Sequence, residues 1–138
     1  MIRLTRRYRL AALHRLHAPH LSEEASRALY GKCANPHGHG HDYRLEVSVR
    51  GPVDPASGRA ADTRALDGLV AREVLAALDH QDLNDTLAVL PTTENLALDI
   101  RRRLLGAWDK VFGSAWPKLD RLRLSETPRN VIEIIERL

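Results

Sequence analysis

Cys33 is the only cysteine among the 138 residues, so no disulfide can form within the chain. A thiol without a partner fits a reducing compartment, and the cytoplasm is the expected location. Aromatic residues are scarce, at 4%. The core must therefore be assembled from Leu, Val, Ile and Ala. The same scarcity argues against a single-strand nucleic-acid binder, which stacks bases on aromatic rings between its basic residues. Apolar runs long enough to cross a membrane are missing, and no apolar stretch follows the opening Met1-Ile2-Arg3-Leu4-Thr5-Arg6-Arg7. Internal repeats, low-complexity tracts and linkers are also missing, so residues 1–138 read as one domain.

What remains is ordinary globular material. Hydrophobic residues make up 43% and charged residues 28%, with a net charge of +3 and a pI of about 9.4. A mildly basic chain suits a phosphorylated small molecule as well as weak contact with nucleic acid. The densest basic run, Arg101-Arg102-Arg103, reads as a solvated helix face.

Hydrophobic periodicity orders the elements. Residues Ile2 to His17 read as a strand, with Tyr8, Leu10 and Ala12 at alternate positions. Ser22 to Leu29 tolerates a helix, and Tyr30-Gly31-Lys32 reads as a loop. From Asp42 the alternation is clean: Tyr43, Leu45, Val47 and Val49 are apolar, while Arg44, Glu46, Ser48 and Arg50 are polar. Residues 51–58 form a turn by their Gly and Pro content. A helix capped by Asp62 or Thr63 follows, with the stripe Leu66, Leu69, Val70, Val74, Ala77 and Leu78. A second, capped by Thr92 or Thr93, carries Ala97, Ile100, Leu104 and Trp108. Pro117 marks a break. Leu122, Leu124 and Glu126 then share one face of a third strand, and Val131 to Ile135 gives a fourth. The expected fold is α+β in the order ββααββ: a four-stranded antiparallel sheet with two helices on one face. Exposed edges of so small a sheet favour oligomerisation.

Seven histidines are present, and three fall in His37-Gly38-His39-Gly40-His41. On extended backbone, residues two apart point the same way, so 37/39 and 39/41 are both possible metal-ligating pairs. His14, late in the first strand, is the best third ligand. Three neutral imidazoles suit Zn²⁺ and leave a position open, which is the catalytic form of a zinc site. His17 and His20 read as ordinary loop residues. Cys33 can be a fourth ligand, a small buried hydrophobe or a catalytic base. Asp79-His80, at a helix end, can form a proton relay or be simply a cap and a surface group. Glu126 on an apolar face needs donors: an arginine, or a ligand offering two parallel N–H groups, as a pterin or guanine ring does.

The segment Gly31-Lys32-Cys33-Ala34-Asn35-Pro36-His37-Gly38-His39-Gly40-His41-Asp42-Tyr43 resembles the zinc-site segment of 6-pyruvoyl-tetrahydropterin synthases. So do Ala12-Leu13-His14-Arg15-Leu16, residues 51–58, Leu78-Asp79-His80, Asn84, Thr92-Thr93-Glu94-Asn95 and Ser125-Glu126-Thr127, in the family's order. The resemblance implies a tunnelling fold (T-fold), and a homo-oligomer, a hexamer built as a pair of trimers, with active sites between subunits. It implies one Zn²⁺ per subunit on His14, His39 and His41, which leaves His37 out. Cys33 becomes the catalytic base with Asp79 and His80 as relay partners. Glu126 becomes the pterin anchor, and Thr92 and Thr93 line the pterin pocket. The implied activity is that of a carbon–oxygen lyase acting on a phosphate ester. It converts 7,8-dihydroneopterin triphosphate to 6-pyruvoyl-tetrahydropterin and releases triphosphate, with no nucleic acid or membrane as partner.

Two features bear on the product. Five residues separate Cys33 from His39, as in the animal-type enzymes, where bacterial relatives of the queuosine pathway have three. Those relatives make 6-carboxy-5,6,7,8-tetrahydropterin, and the Ala- and Arg-rich composition here looks bacterial. Residues 131–138 lack the family's Tyr-Gly-Glu-like ending, and Leu13 replaces a small residue. A non-catalytic metal- or purine-binding module on the same fold is a third reading, opposed by the presence of Cys33, Asp79 and His80 together.

Overall fold

A computed structural model describes residues 1–35 and 38–137. Its frame is a sheet built on two 13-residue strands. β1 (Ile2–His14) and β2 (His39–Gly51) pair antiparallel from Ile2↔Gly51 to His14↔His39 without a slip. Alternation dictates the two faces. Leu10, Ala12 and His14 are buried with Tyr43, Leu45, Val47 and Val49, while Arg3, Arg7, Arg9 and Arg44 point the other way. The first strand stops at His14, three residues short of the expected end. Beyond it, Leu16 N–H donates to the Cys33 carbonyl (2.6 Å), so the backbone pairs with the segment before β2.

Between these strands lies α1 (Glu23–Tyr30), capped by Ser22 and ended at Gly31, whose φ of 59° favours glycine. A single 3₁₀ turn, Gly31–Ala34, carries Cys33. After β2, Asp62 caps α2 (Thr63–Val70) by accepting from the N–H groups of Arg64 and Ala65. A π-turn at Ala71–Leu75 interrupts the helix, which resumes as α3 (Ala76–Leu78). β3 (Gln81–Asp82) and α4 (Leu83–Thr86) follow. Thr92 caps the long α5 (Thr93–Phe112); β4 (Lys118–Thr127) and β5 (Asn130–Ile135) close the chain.

Among the described residues the sheet has five strands in the order β3-β1-β2-β4-β5, not four, and it is mixed. β3 runs parallel to β1 through Ala12↔Gln81 and Leu13↔Asp82. His80, at φ 59°, turns the chain into this position, and two residues are too few to leave a periodic trace. Both helical stripes pack where expected. Leu66, Leu69, Val70, Val74, Leu78, Leu96, Ile100, Leu104 and Trp108 are buried against Leu10, Tyr43, Leu45, Leu122 and Leu124. Burying each such side chain fully stabilises the fold by roughly 1.5–3 kcal/mol before the entropy of ordering it is subtracted. Among the described residues no helix is long and apolar enough to cross a membrane. The three arginines of α5 are all paired, Arg101 with Glu136 and both Arg102 and Arg103 with Asp99, as a solvated helix face would be.

Candidate active site

The β1–β2 pairing does most of the assembly. His14 and His39 are cross-strand partners, and His41 stands opposite Ala12, so all three imidazoles share the helix-covered face. The Leu16–Cys33 backbone bond carries the thiol to the same place. Glu126 arrives from β4, where the pairing with β5 shifts between Ser125 and Thr127, so a bulge aims the carboxylate at the cluster.

Four side chains converge. The ligating atoms of His14, Cys33, His41 and Glu126 all lie within 4.8 Å of one another. His14 Nε2 is 2.9 Å from His41 Nε2. Glu126 Oε1 is 2.7 Å from His41 Nε2 and 3.7 Å from His14 Nε2. The Cys33 sulfur stands 3.6 Å from His41 Nε2 and 3.8 Å from Glu126 Oε1. Two ring nitrogens at 2.9 Å cannot both present lone pairs to each other. A shared proton or a shared cation relieves them, and this donor set of imidazole, thiol and carboxylate suits a zinc-like divalent ion.

His14 is prepared for that role. Its ring is fully buried, and Nδ1 lies 3.0 Å from the Pro91 carbonyl, which can only accept. The proton therefore belongs on Nδ1 and the lone pair on Nε2, facing the cluster. The Tyr43 hydroxyl adds a contact at 3.2 Å. Burial, then the neighbouring His41, pushes the His14 pKa down and keeps the ring neutral. Cys33 is pushed the other way, first by burial and then by the Glu126 charge. Glu126 is pulled down to about 2, chiefly by its hydrogen bond to His41 and against the effect of burial; Thr93 Oγ1 donates to its other oxygen at 2.7 Å.

The expected site residues divide into those gathered here and those placed elsewhere. His14, His41, Cys33, Glu126 and Thr93 come together. His39 is next to them: its ring meets His41 edge-to-face at 4.4 Å between centroids, outside the quartet of mutually close groups. His37 lies outside the described residues. Thr92 directs its hydroxyl to the helix, capping α5 through Asn95 N–H at 3.2 Å. Glu126 meets no arginine among the described residues, so the simple ion-pair reading does not apply to it. Within the chain, no described hydrogen bond or ion pair links Asp79 or His80 to Cys33. Asp79 Oδ1 accepts from Ala11 N–H at 2.9 Å, and the His80 side chain is 80% exposed, 3.5 Å from Asp79.

Two supports escaped the sequence reading. Tyr43 read as one more apolar strand position, although a buried phenol needs a partner and could have flagged the site. Pro91 acts through its carbonyl, which no side-chain pattern announces. Asn95 steadies that turn by donating to the Leu90 carbonyl at 2.8 Å.

A two-layer α+β domain that gathers two imidazoles, a thiol and a carboxylate at one end of its sheet belongs to the class of candidate metalloproteins. The chain belongs to the 6-pyruvoyl tetrahydropterin synthase family, whose sequence model matches residues 3–137. It is 37% identical over 134 residues to the 6-pyruvoyl tetrahydrobiopterin synthase of Poecilia reticulata, covering 94% of this chain and 86% of that protein. The Caenorhabditis elegans 6-pyruvoyl tetrahydropterin synthase structure superposes with a TM-score of 0.84 at 31% identity, covering 99% of this chain and 96% of the other. A shorter match is to a putative 6-carboxy-5,6,7,8-tetrahydropterin synthase of Archaeoglobus fulgidus, 39% identical over 62 residues, covering 45% of this chain and 51% of that protein.

Proposed function

We propose that this chain is a zinc-dependent pterin synthase that converts 7,8-dihydroneopterin triphosphate to 6-pyruvoyl-tetrahydropterin with loss of triphosphate. The observation that carries the reading is the convergence of His14, His41, Cys33 and Glu126 in a chain matched almost end to end by synthases of that name. His14 and His41 would hold the ion, and His39, across from His14 and against His41, completes the proposed ligand set. Bound zinc would supply Lewis acidity toward the hydroxyls of the substrate side chain.

The chain's own groups do the rest. Cys33 stands beside the histidines as the group that takes and returns protons, and its thiol needs a nearby positive charge to offset burial and Glu126. Glu126, ionised and steadied by Thr93, offers an acceptor pair for the ring N–H and amino group of a pterin. Within one chain Asp79 binds Ala11 N–H and the exposed His80 makes no described bond to Cys33, so their proposed relay role calls for a second subunit to present them. An oligomer, a hexamer in the proposed form, with sites between subunits satisfies that requirement. Reduction of the ring balances oxidation of the side chain, so no redox cofactor is called for. The cytoplasm is the proposed location.

A second reading, 6-carboxy-5,6,7,8-tetrahydropterin synthase, is favoured by the Archaeoglobus match. Mass spectrometry of the product from dihydroneopterin triphosphate and the zinc-loaded protein separates the two. A pyruvoyl product is expected. A carboxy product selects the second reading, and an unaltered substrate rejects both.

A further inference from the structure

The sheet face turned away from the helices carries an arrangement that the proposed reaction leaves unused. Across β1, β2 and β4 two neighbouring rungs read Arg7–Glu46–Arg123 and Arg9–Arg44–Ser125. Cross-strand partners share a face, so these six side chains form one patch. They line a cavity of about 580 Å³.

The first rung is internally neutralised in part. Glu46 accepts from Arg7 Nε at 2.9 Å and from Arg123 at 3.1 Å, one carboxylate between two guanidiniums. The second rung is not. Arg9 and Arg44 stand directly opposite each other and make no hydrogen bond or ion pair with any other described residue. Like charges placed so destabilise a sheet. Glu133, farther along the first rung, lies 3.8 Å from Arg123 and 3.0 Å from Arg121 and does not line the cavity. Four guanidiniums against one carboxylate leave the cavity at +3.

We infer that this arginine-lined cavity, on the sheet face opposite His14 and His41, binds a condensed phosphate chain. Several negative charges on linked tetrahedral groups match the surplus of +3. The planar forks of Arg9 and Arg44 can each take two phosphate oxygens, and Arg7 and Arg123 are held in place by Glu46. Ser125 supplies a neutral donor at the rim. The chain's end can be inorganic triphosphate or the tail of a nucleoside triphosphate, which share this chemistry. The inference is independent of the pterin reading, because none of these residues belongs to the proposed reaction site.

The test is calorimetric titration of the full-length protein with inorganic triphosphate at near-physiological salt, with sulfate, ATP and a single-stranded oligonucleotide as parallel arms. Saturable binding of triphosphate well above sulfate is expected. Arg9→Thr/Arg44→Thr should weaken it at least about tenfold, without lowering the Tm of the free protein, because a repulsive pair is removed. Glu46→Gln should tighten it about threefold by raising the local charge. ATP binding as tightly as triphosphate identifies the phosphate chain alone as the determinant; tighter ATP binding points to a nucleotide tail. Absence of triphosphate binding, unchanged affinity in Arg9→Thr/Arg44→Thr, or a preference for the oligonucleotide overturns the proposal. Cys33→Ala, which should lose pterin turnover, should keep the same triphosphate affinity, and this separates a failure of the pterin reading from a failure of this one.

Discussion

His14 and His41 approach each other through Nε2 atoms 2.9 Å apart, and among the described residues it is His14 whose ring is held by backbone. His14 is fixed from behind by the Pro91 carbonyl and the Tyr43 hydroxyl, while His41 is met from the front by Glu126. The rigid member therefore sets where a cation sits, and the other adjusts to it.

Replacing His41 with Ala should remove metal binding more severely than the loss of an outer partner, which costs about 10–100-fold in affinity. Competition with a chromophoric chelator measures it. Retained affinity in His41→Ala would place the ion elsewhere. Tyr43→Phe keeps the ring packing and removes only the hydroxyl, so a loss of about tenfold with an unchanged fold is expected.

Cys33→Ala should abolish pterin turnover and leave metal content intact, as read by elemental analysis of the purified protein. The thiol is part-buried on a short 3₁₀ turn, so the fold should tolerate the change. Turnover that survives would remove Cys33 from the chemistry.

Asn84 acts as a substitute strand residue. Its side-chain oxygen accepts from Arg15 N–H at 2.7 Å and its amide donates to the Arg15 carbonyl at 2.8 Å, immediately after His14. Asn84→Ala removes both bonds, at a cost of about 1–2 kcal/mol. Hydrogen exchange at Arg15 should accelerate, and the Tm should fall by several degrees.

Asp67 gives the pH dependence. The Arg6 guanidinium is the main cause that holds its carboxyl below the ordinary value of 3.8, with the Tyr8 hydroxyl helping against burial. A depressed folded-state pKa means the stabilisation is present above pH 3.8 and fades as pH falls through the folded-state value. Asp67→Asn should thus lower the Tm slightly at pH 7, where the pair is half-exposed and screened. The difference from wild type should vanish in acid. A constant difference across that range would contradict the ion-pair origin.

Gly38 tests the approach to the second strand. Its φ is 80°, and a Cβ there would come within 3.1 Å of Leu13 Cδ1 and 3.4 Å of the His14 carbonyl. Gly38→Ala should cost stability through backbone strain, with metal affinity falling in parallel as His14 is displaced. Thermal melts and the chelator competition together read the two effects.

Periodicity carried much of the fold. The alternation from Tyr43 to Val49 and the stripes from Leu66 to Leu78 and Ala97 to Trp108 translate directly into buried faces, because burial enforces the period. Asp62 and Thr92 cap their helices as their side-chain chemistry suggests. β3 and the π-turn at Ala71–Leu75 left no such trace, since two residues or one extra helical position carry no period. At the site, residue types were legible and their convergence was not. Spacing alone left the metal-ligating pair open, and it is the unbroken β1–β2 pairing that puts His14, His39 and His41 on one face. The bulge that aims Glu126 depends on how β4 meets β5, a long-range relation that neither strand encodes alone. Asp79 and His80 read as neighbours of Cys33 only by resemblance, and within one chain they serve β1 instead.

The outer edge of β1 is thereby finished at one end and bare at the other. Asp79 and His80 occupy the backbone groups of Ala11, and Gln81–Asp82 pair with Ala12 and Leu13. From Ile2 to Leu10 that edge meets no strand among the described residues, and β5 is the other margin. An unfinished margin is a template that another copy can zip onto. The cap sets a stopping point: in the proposed oligomer, a strand added on this margin would halt before the histidines.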